Sequence, residues 1–84
     1  MKPIRLSAHA RHTIGARGAD EAEVAQTIRT CPWSPARGER LECRKDFAYG
    51  QDWNGRIHET KQIRPMFVEE ADEIVVVTVY VYYF

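Results

Sequence analysis

Three histidines and nine arginines carry most of the chemistry open to this 84-residue chain. The stretch Ser7-Ala8-His9-Ala10-Arg11-His12-Thr13 holds two of the histidines, and Arg17 follows four residues after Thr13. On a helix, His9, Thr13 and Arg17 fall along one flank, because residues four apart are neighbours. A group that exchanges protons near neutral pH would then stand in line with a guanidinium suited to a phosphate. The plainer reading has His9 at the helix start, bonding a backbone or sheet group and fixing how the helix docks. His12 reads as solvent-facing. A second row, His58, Thr60, Gln62 and Arg64, alternates along a strand and would line one sheet face. Such a row suits a nucleic-acid backbone, or is simply the wet face of an antiparallel sheet. Lys61 falls on the opposite, more apolar face. Tyr80, Tyr82 and Tyr83 cluster near the end of the sequence. Tyrosines on a sheet stack bases or move a proton; they equally fill a core or cover a dimer surface.

Other chemistries lack their residues. Three histidines and the two cysteines, Cys31 and Cys43, show no metal-ligand spacing. There is no carboxylate pair at acid–base spacing, no cysteine–histidine nucleophile pattern and no glycine-rich phosphate loop. No cofactor is expected.

The elements that must position these groups read clearly in places. Ser7 is a good N-cap for a helix over about 8–17, with Leu6, Ala10, Ile14 and Arg17 as a narrow stripe. Gly18 sits where a left-handed residue stops such a helix. Asp20 and Glu23 have the spacing of a capping box, opening a helix over about 20–31 that buries Val24, Ala25, Ile28 and Cys31. Pro32 ends it, and residues 32–39 read as a loop. Strands are expected over about 40–50, 56–69 and 74–84. Parity favours a three-residue loop of Trp53-Asn54-Gly55 between the first two, pairing Asp52 with Arg56, Phe47 with Lys61 and Lys45 with Ile63. Pro65 should bend the second strand. The last strand is apolar on both faces, as central strands are. The fold class is α+β: a single domain over 1–84, with two N-terminal helices packed on one face of an antiparallel sheet of three to four strands.

Composition bounds the partners. An apolar fraction of 44% is enough for a globular domain. The most apolar run, residues 74–84, is about half the length needed to cross a bilayer, so no membrane partner is expected. No apolar run follows Met1-Lys2-Pro3-Ile4-Arg5, which gives no sign of a signal peptide; the expectation is a cytoplasmic chain with reduced cysteines. Net charge is zero, but residues 1–64 hold all 12 Lys and Arg against 8 Asp and Glu, and residues 65–84 hold the other 4 acids and no base. A positive face with a separate acidic loop is compatible with nucleic acid as partner.

The N-terminal half resembles a small bacterial family of unknown function with the approximate pattern S-x-H-A-x-x-R-x-x-x-R-G-I, an acidic capping box, and a last strand reading V-V-T-V. The matches are Ser7, His9, Ala10, Arg17 and Gly18, then Glu23 and Val24, then Val76-Val77-Thr78-Val79. Thr13 stands where the pattern has its first arginine, and Ala19 where it has isoleucine. That family is similar to the RelE and BrnT ribonuclease toxins of the barnase–EndoU–colicin–RelE fold. The resemblance implies RNA cleavage without metal: the 2′-hydroxyl attacks the adjacent phosphate, with a base, an acid and cations for the phosphorane. His9, Arg17, His58 and Arg64 would form the catalytic set, and Arg11, Arg44, Lys61 and Tyr80 would bind RNA. RNA or the ribosome and a cognate antitoxin are the implied partners, with a homodimer through the C-terminal strand as a further expectation. The alternative is a non-catalytic RNA- or protein-binding module of the same fold.

Overall fold

The computed structural model describes all residues, 1–84. It is an α+β fold of two helices and a mostly antiparallel sheet of six strands. In chain order these are β1 (Ile4–Leu6), α1 (Ala8–Arg17), α2 (Glu21–Thr30), β2 (Ser34–Pro35), β3 (Leu41–Glu42), β4 (Lys45–Trp53), β5 (Arg56–Glu69) and β6 (Ile74–Tyr83).

Local chemistry sets both helices. The Ser7 hydroxyl accepts from Ala10 N–H at 3.1 Å and donates to Val77 O at 3.0 Å, so one side chain caps α1 and ties it to β6. Gly18 stops α1 in the left-handed region, at φ 80°, and its N–H bonds Ile14 O. Asp20 accepts from Glu23 N–H at 2.8 Å while Glu23 accepts from Asp20 N–H at 3.1 Å, completing the capping box. Cys31 then closes α2 by donating its N–H to Thr27 O. The buried hydroxyls of Thr13 and Thr27 bond carbonyls of their own helices, so neither is left unpaired.

The sheet is larger than three to four strands. Three very short strands add to the long ones, and β1 pairs with β6 in parallel, not antiparallel, register. The expected strand over 40–50 is broken at Cys43-Arg44 into β3 and β4, and β2 forms within the expected loop. The central strand is β5. At 14 residues and about 3.3 Å each it accounts for the longest dimension of the molecule, 42 Å. One edge of β5 pairs β6; the other pairs β4 through Ile63 and β3 from Met66. Pro65, buried within β5, falls in the gap between those two partners, where a missing N–H breaks no ladder bond.

The hairpin corrects one expectation and keeps another. Phe47 pairs Lys61 and Lys45 pairs Ile63, as parity requires. The turn, however, is the two-residue Asn54-Gly55, with positive φ at both positions (53° and 86°) and Trp53 opposite Arg56. A bulge between Ala48 and Gln51, with Gly50 at φ 64°, supplies the extra residue that the longer loop was meant to supply.

One cluster of 11 buried residues joins the layers, among them Ala10, Ile14, Val24, Ile28, Ile63, Phe67, Val76 and Val79. Full burial of a side chain such as Phe67 or Ile63 contributes about 2–3 kcal/mol each. No helix is long and apolar enough to cross a membrane.

Candidate functional site

Strand alternation divides the long strands into a core face and an outer face. On β5 the buried residues are Lys61, Ile63, Pro65 and Phe67, and the half-exposed ones are Gln62, Arg64, Met66 and Val68. On β6 a register shift near Val77 moves burial from Ile74 and Val76 to Val79, leaving Tyr80 and Tyr82 on the outer face. Cross-strand pairing sets Tyr80 beside Arg64 and Tyr82 beside Gln62.

Here three predicted residues from distant parts of the sequence meet. Arg17, in the last turn of α1, donates to Val79 O at 2.8 Å, and its guanidinium lies 5.5 Å from the centre of the Tyr80 ring. The Arg64 guanidinium lies 6.0 Å from the same ring. Its Nε donates to Glu42 Oε1 at 2.9 Å, and Nη2 approaches the same oxygen at 2.8 Å. That bond to Glu42 raises the Arg64 pKa above the ordinary guanidinium value; burial opposes it and the neighbouring Tyr82 phenol adds to it. Beyond Val76, β6 has no strand on its outer edge, which is what lets Arg17 reach Val79 O. Tyr80, Arg17 and Arg64 thus form one cluster, with Tyr80 38% exposed.

The other predicted residues stand apart from it. His9 and His12 are exposed on α1, and neither side chain makes a hydrogen bond, ion pair or ring contact. His58 does not extend the Arg64 row. Its ring lies 5.7 Å from that of Tyr83, in an aromatic group where Trp53 stacks on Tyr83 at 4.7 Å and Tyr49 lies at 5.2 Å. The Tyr83 hydroxyl donates to Arg17 O at 2.7 Å, and burial pushes its pKa up to about 12. Lys61, expected to contact RNA, is only 7% exposed. Its ammonium donates to Gly18 O at 2.9 Å and pairs with Glu23 at 2.8 Å, so it fastens the α1–α2 corner to the sheet. Arg11 pairs with Glu21 at 3.2 Å beside an open groove of about 340 Å³ lined also by Ile14, Gly15, Ala19 and Asp20. Arg44 is exposed at the break between β3 and β4. No three His, Cys, Asp or Glu side chains gather as a metal site would require.

One member of the outer-face cluster, Glu42, was missed by sequence reasoning, while Tyr82 belongs to the tyrosine group already read from the sequence. Glu42 enters through β3, a strand of two residues, and Tyr82 through alternation with Tyr80. Alternation alone places Tyr82 beside Tyr80; nothing local announces Glu42.

Chemically, the cluster offers an accessible aromatic ring, two fixed guanidiniums and a second phenol. It offers no imidazole. A comparison of the chain with known proteins finds no matching family model, no matching curated protein and no matching solved structure.

Proposed function

We propose that this chain is a non-catalytic module of RelE/BrnT-like architecture that binds short single-stranded RNA on its outer sheet face. The observation that carries the reading is the convergence of Arg17 and Arg64 on the exposed ring of Tyr80. A base stacks on Tyr80 or Tyr82, and the flanking phosphates take guanidinium N–H groups not used by Val79 O and Glu42. The architecture is supported by the chain order of two capped helices before the long strands, with residues of both helices and of β5 and β6 in one buried cluster. That order suits two helices sharing the core face and leaving the outer face open.

Cleavage requires a base and an acid beside the phosphate clamp. The histidines that the family resemblance nominates lie on an exposed flank of α1 and in the Tyr83 aromatic group. This favours the binding module over a toxin-like ribonuclease held by an antitoxin.

Fluorescence anisotropy with a short labelled single-stranded RNA tests this, with the RNA run on a denaturing gel afterwards. Wild type should bind and leave the RNA intact. With two guanidiniums engaged, log Kobs should fall against log salt with a slope of about −1.4. Tyr80→Ala should weaken binding about tenfold, as loss of one base stack of 1–3 kcal/mol implies. Arg64→Gln should weaken binding and roughly halve the slope. Absence of binding at low salt would sink the proposal. Cleaved RNA, or growth arrest on induction in bacteria, would restore the ribonuclease reading.

A further inference from the structure

The Cys31 backbone N–H and the Cys43 thiol reach the same backbone carbonyl, and the Cys31 sulfur lies 3.7 Å from the Thr30 hydroxyl. Thr27 O, in the last turn of α2, accepts the N–H of Cys31 at 3.1 Å. The thiol of Cys43, at the break between β3 and β4, points to the same oxygen at 3.6 Å. Cys31 is half-buried and Cys43 buried, with both packed in or against the same core cluster. The Cys31 corner is held on its other side as well. The Trp33 indole donates to Ile28 O at 2.8 Å, and its ring meets Phe67 edge-on at 5.0 Å.

We propose that Cys31 and Cys43 are a reversible dithiol–disulfide pair that reacts with low-molecular-weight disulfides. The exposure difference orders the steps. The Cys31 thiolate attacks one sulfur of R–S–S–R; that S–S bond breaks, R–S⁻ leaves and takes a proton, and Cys31 carries the mixed disulfide. Cys43 then loses its proton to solvent and its sulfur attacks the Cys31 sulfur, releasing the second R–S⁻, which is protonated in turn. The protein loses two thiol hydrogens and the reagent is reduced to two R–SH. Burial, and after it the nearby Cys31 and Glu42, push the Cys43 thiol up to about 12. Cys43 is therefore a poor first nucleophile. Capping Cys31 removes the charge of its thiolate from beside Cys43, which makes the second step easier than the first would have been at that site. The bridge closes the short segment that carries β2 and β3 onto the end of α2.

The native full-length protein is incubated with oxidised glutathione, quenched in acid and measured by intact mass and by thiol titration in denaturant. Wild type should go from two free thiols to none, lose the mass of two hydrogens, carry no adduct, yield a peptide linking Cys31 to Cys43 on digestion, and recover both thiols with reductant. Cys43→Ala should stop at the first step, with one glutathione on Cys31. A stable glutathione on wild-type Cys31, one on each cysteine, chain-to-chain disulfides, or two persisting thiols would each overturn the proposal. The wild-type peptide map decides the matter even where the Cys43 variant folds poorly.

Discussion

Gly18 shows how much one residue does at the corner between the helices. Its left-handed φ of 80° ends α1, and its carbonyl receives the Lys61 ammonium at 2.9 Å. A Cβ there would lie 2.6 Å from the Tyr83 hydroxyl and 2.7 Å from the Trp53 ring. Gly18→Ala therefore meets both a backbone penalty of about 1 kcal/mol and an overpacking penalty of about 1–3 kcal/mol. The expected loss, about 2–4 kcal/mol, is read from the urea midpoint at unchanged m-value. An unchanged midpoint would mean that the aromatic pair does not press on this corner. Neighbouring residues explain which roles are legible in a sequence. Ser7, Asp20, Glu23 and Gly18 act on backbone groups a few positions away, so their spacing announces them. Lys61, His58 and Tyr83 act through partners brought close only by folding, and the alternation that puts Lys61 on the more apolar face says nothing of Glu23.

Among the elements, the β4–β5 hairpin shows the limit of parity as an argument. A three-residue loop, and a two-residue turn followed by a bulge, give the same pairing of Phe47 with Lys61. The discriminating residue is Gly50, an isolated glycine inside a strand pattern, which marks a bulge where its φ is positive. Nothing lies within 4 Å of a Cβ built on Gly50, in contrast to Gly18. Gly50→Ala should thus lose only the backbone term, about 1 kcal/mol, while Gly18→Ala loses several times that. Chemical unfolding of the two variants side by side checks the contrast; equal losses would contradict it. The short strands stay illegible for a different reason. At three and two residues, β1, β2 and β3 are too short to show a period. β1 and β3 are strands because β6 and β5 are there to receive them, as Ile4 pairing with Ile74 illustrates, and β2 forms in turn on β3.

At the scale of the whole molecule, the opposed charges of the two parts of the sequence close on each other. Lys2 pairs with Glu69 at 3.1 Å and Arg5 with Glu73 at 3.0 Å, so the parallel β1–β6 pairing neutralises much of the expected acidic loop. The α+β class was readable from capped helices followed by alternating strands; this charge closure was not, because it depends on β1. The same closed architecture shields two acidic groups in different places, Cys43, buried under α2, and Tyr83, half-buried at the tip of the sheet. Burial is the first cause of both shifts, from 9.0 to about 12 for the thiol and from 10.0 to about 12 for the phenol. Each group binds its proton more tightly folded than unfolded. Its stabilising contribution is complete below the unfolded value and is lost as pH rises toward the folded one. Stability should therefore decline from about pH 9, steepen from about pH 10 when the phenol joins, and level off in this contribution near 12. Urea unfolding across that range checks the course. Cys43→Ala should remove the part of the decline that begins first, and Tyr83→Phe the part that begins second, each leaving the other in place. A wild-type stability that stays flat through this window would mean that neither group is held as its surroundings require.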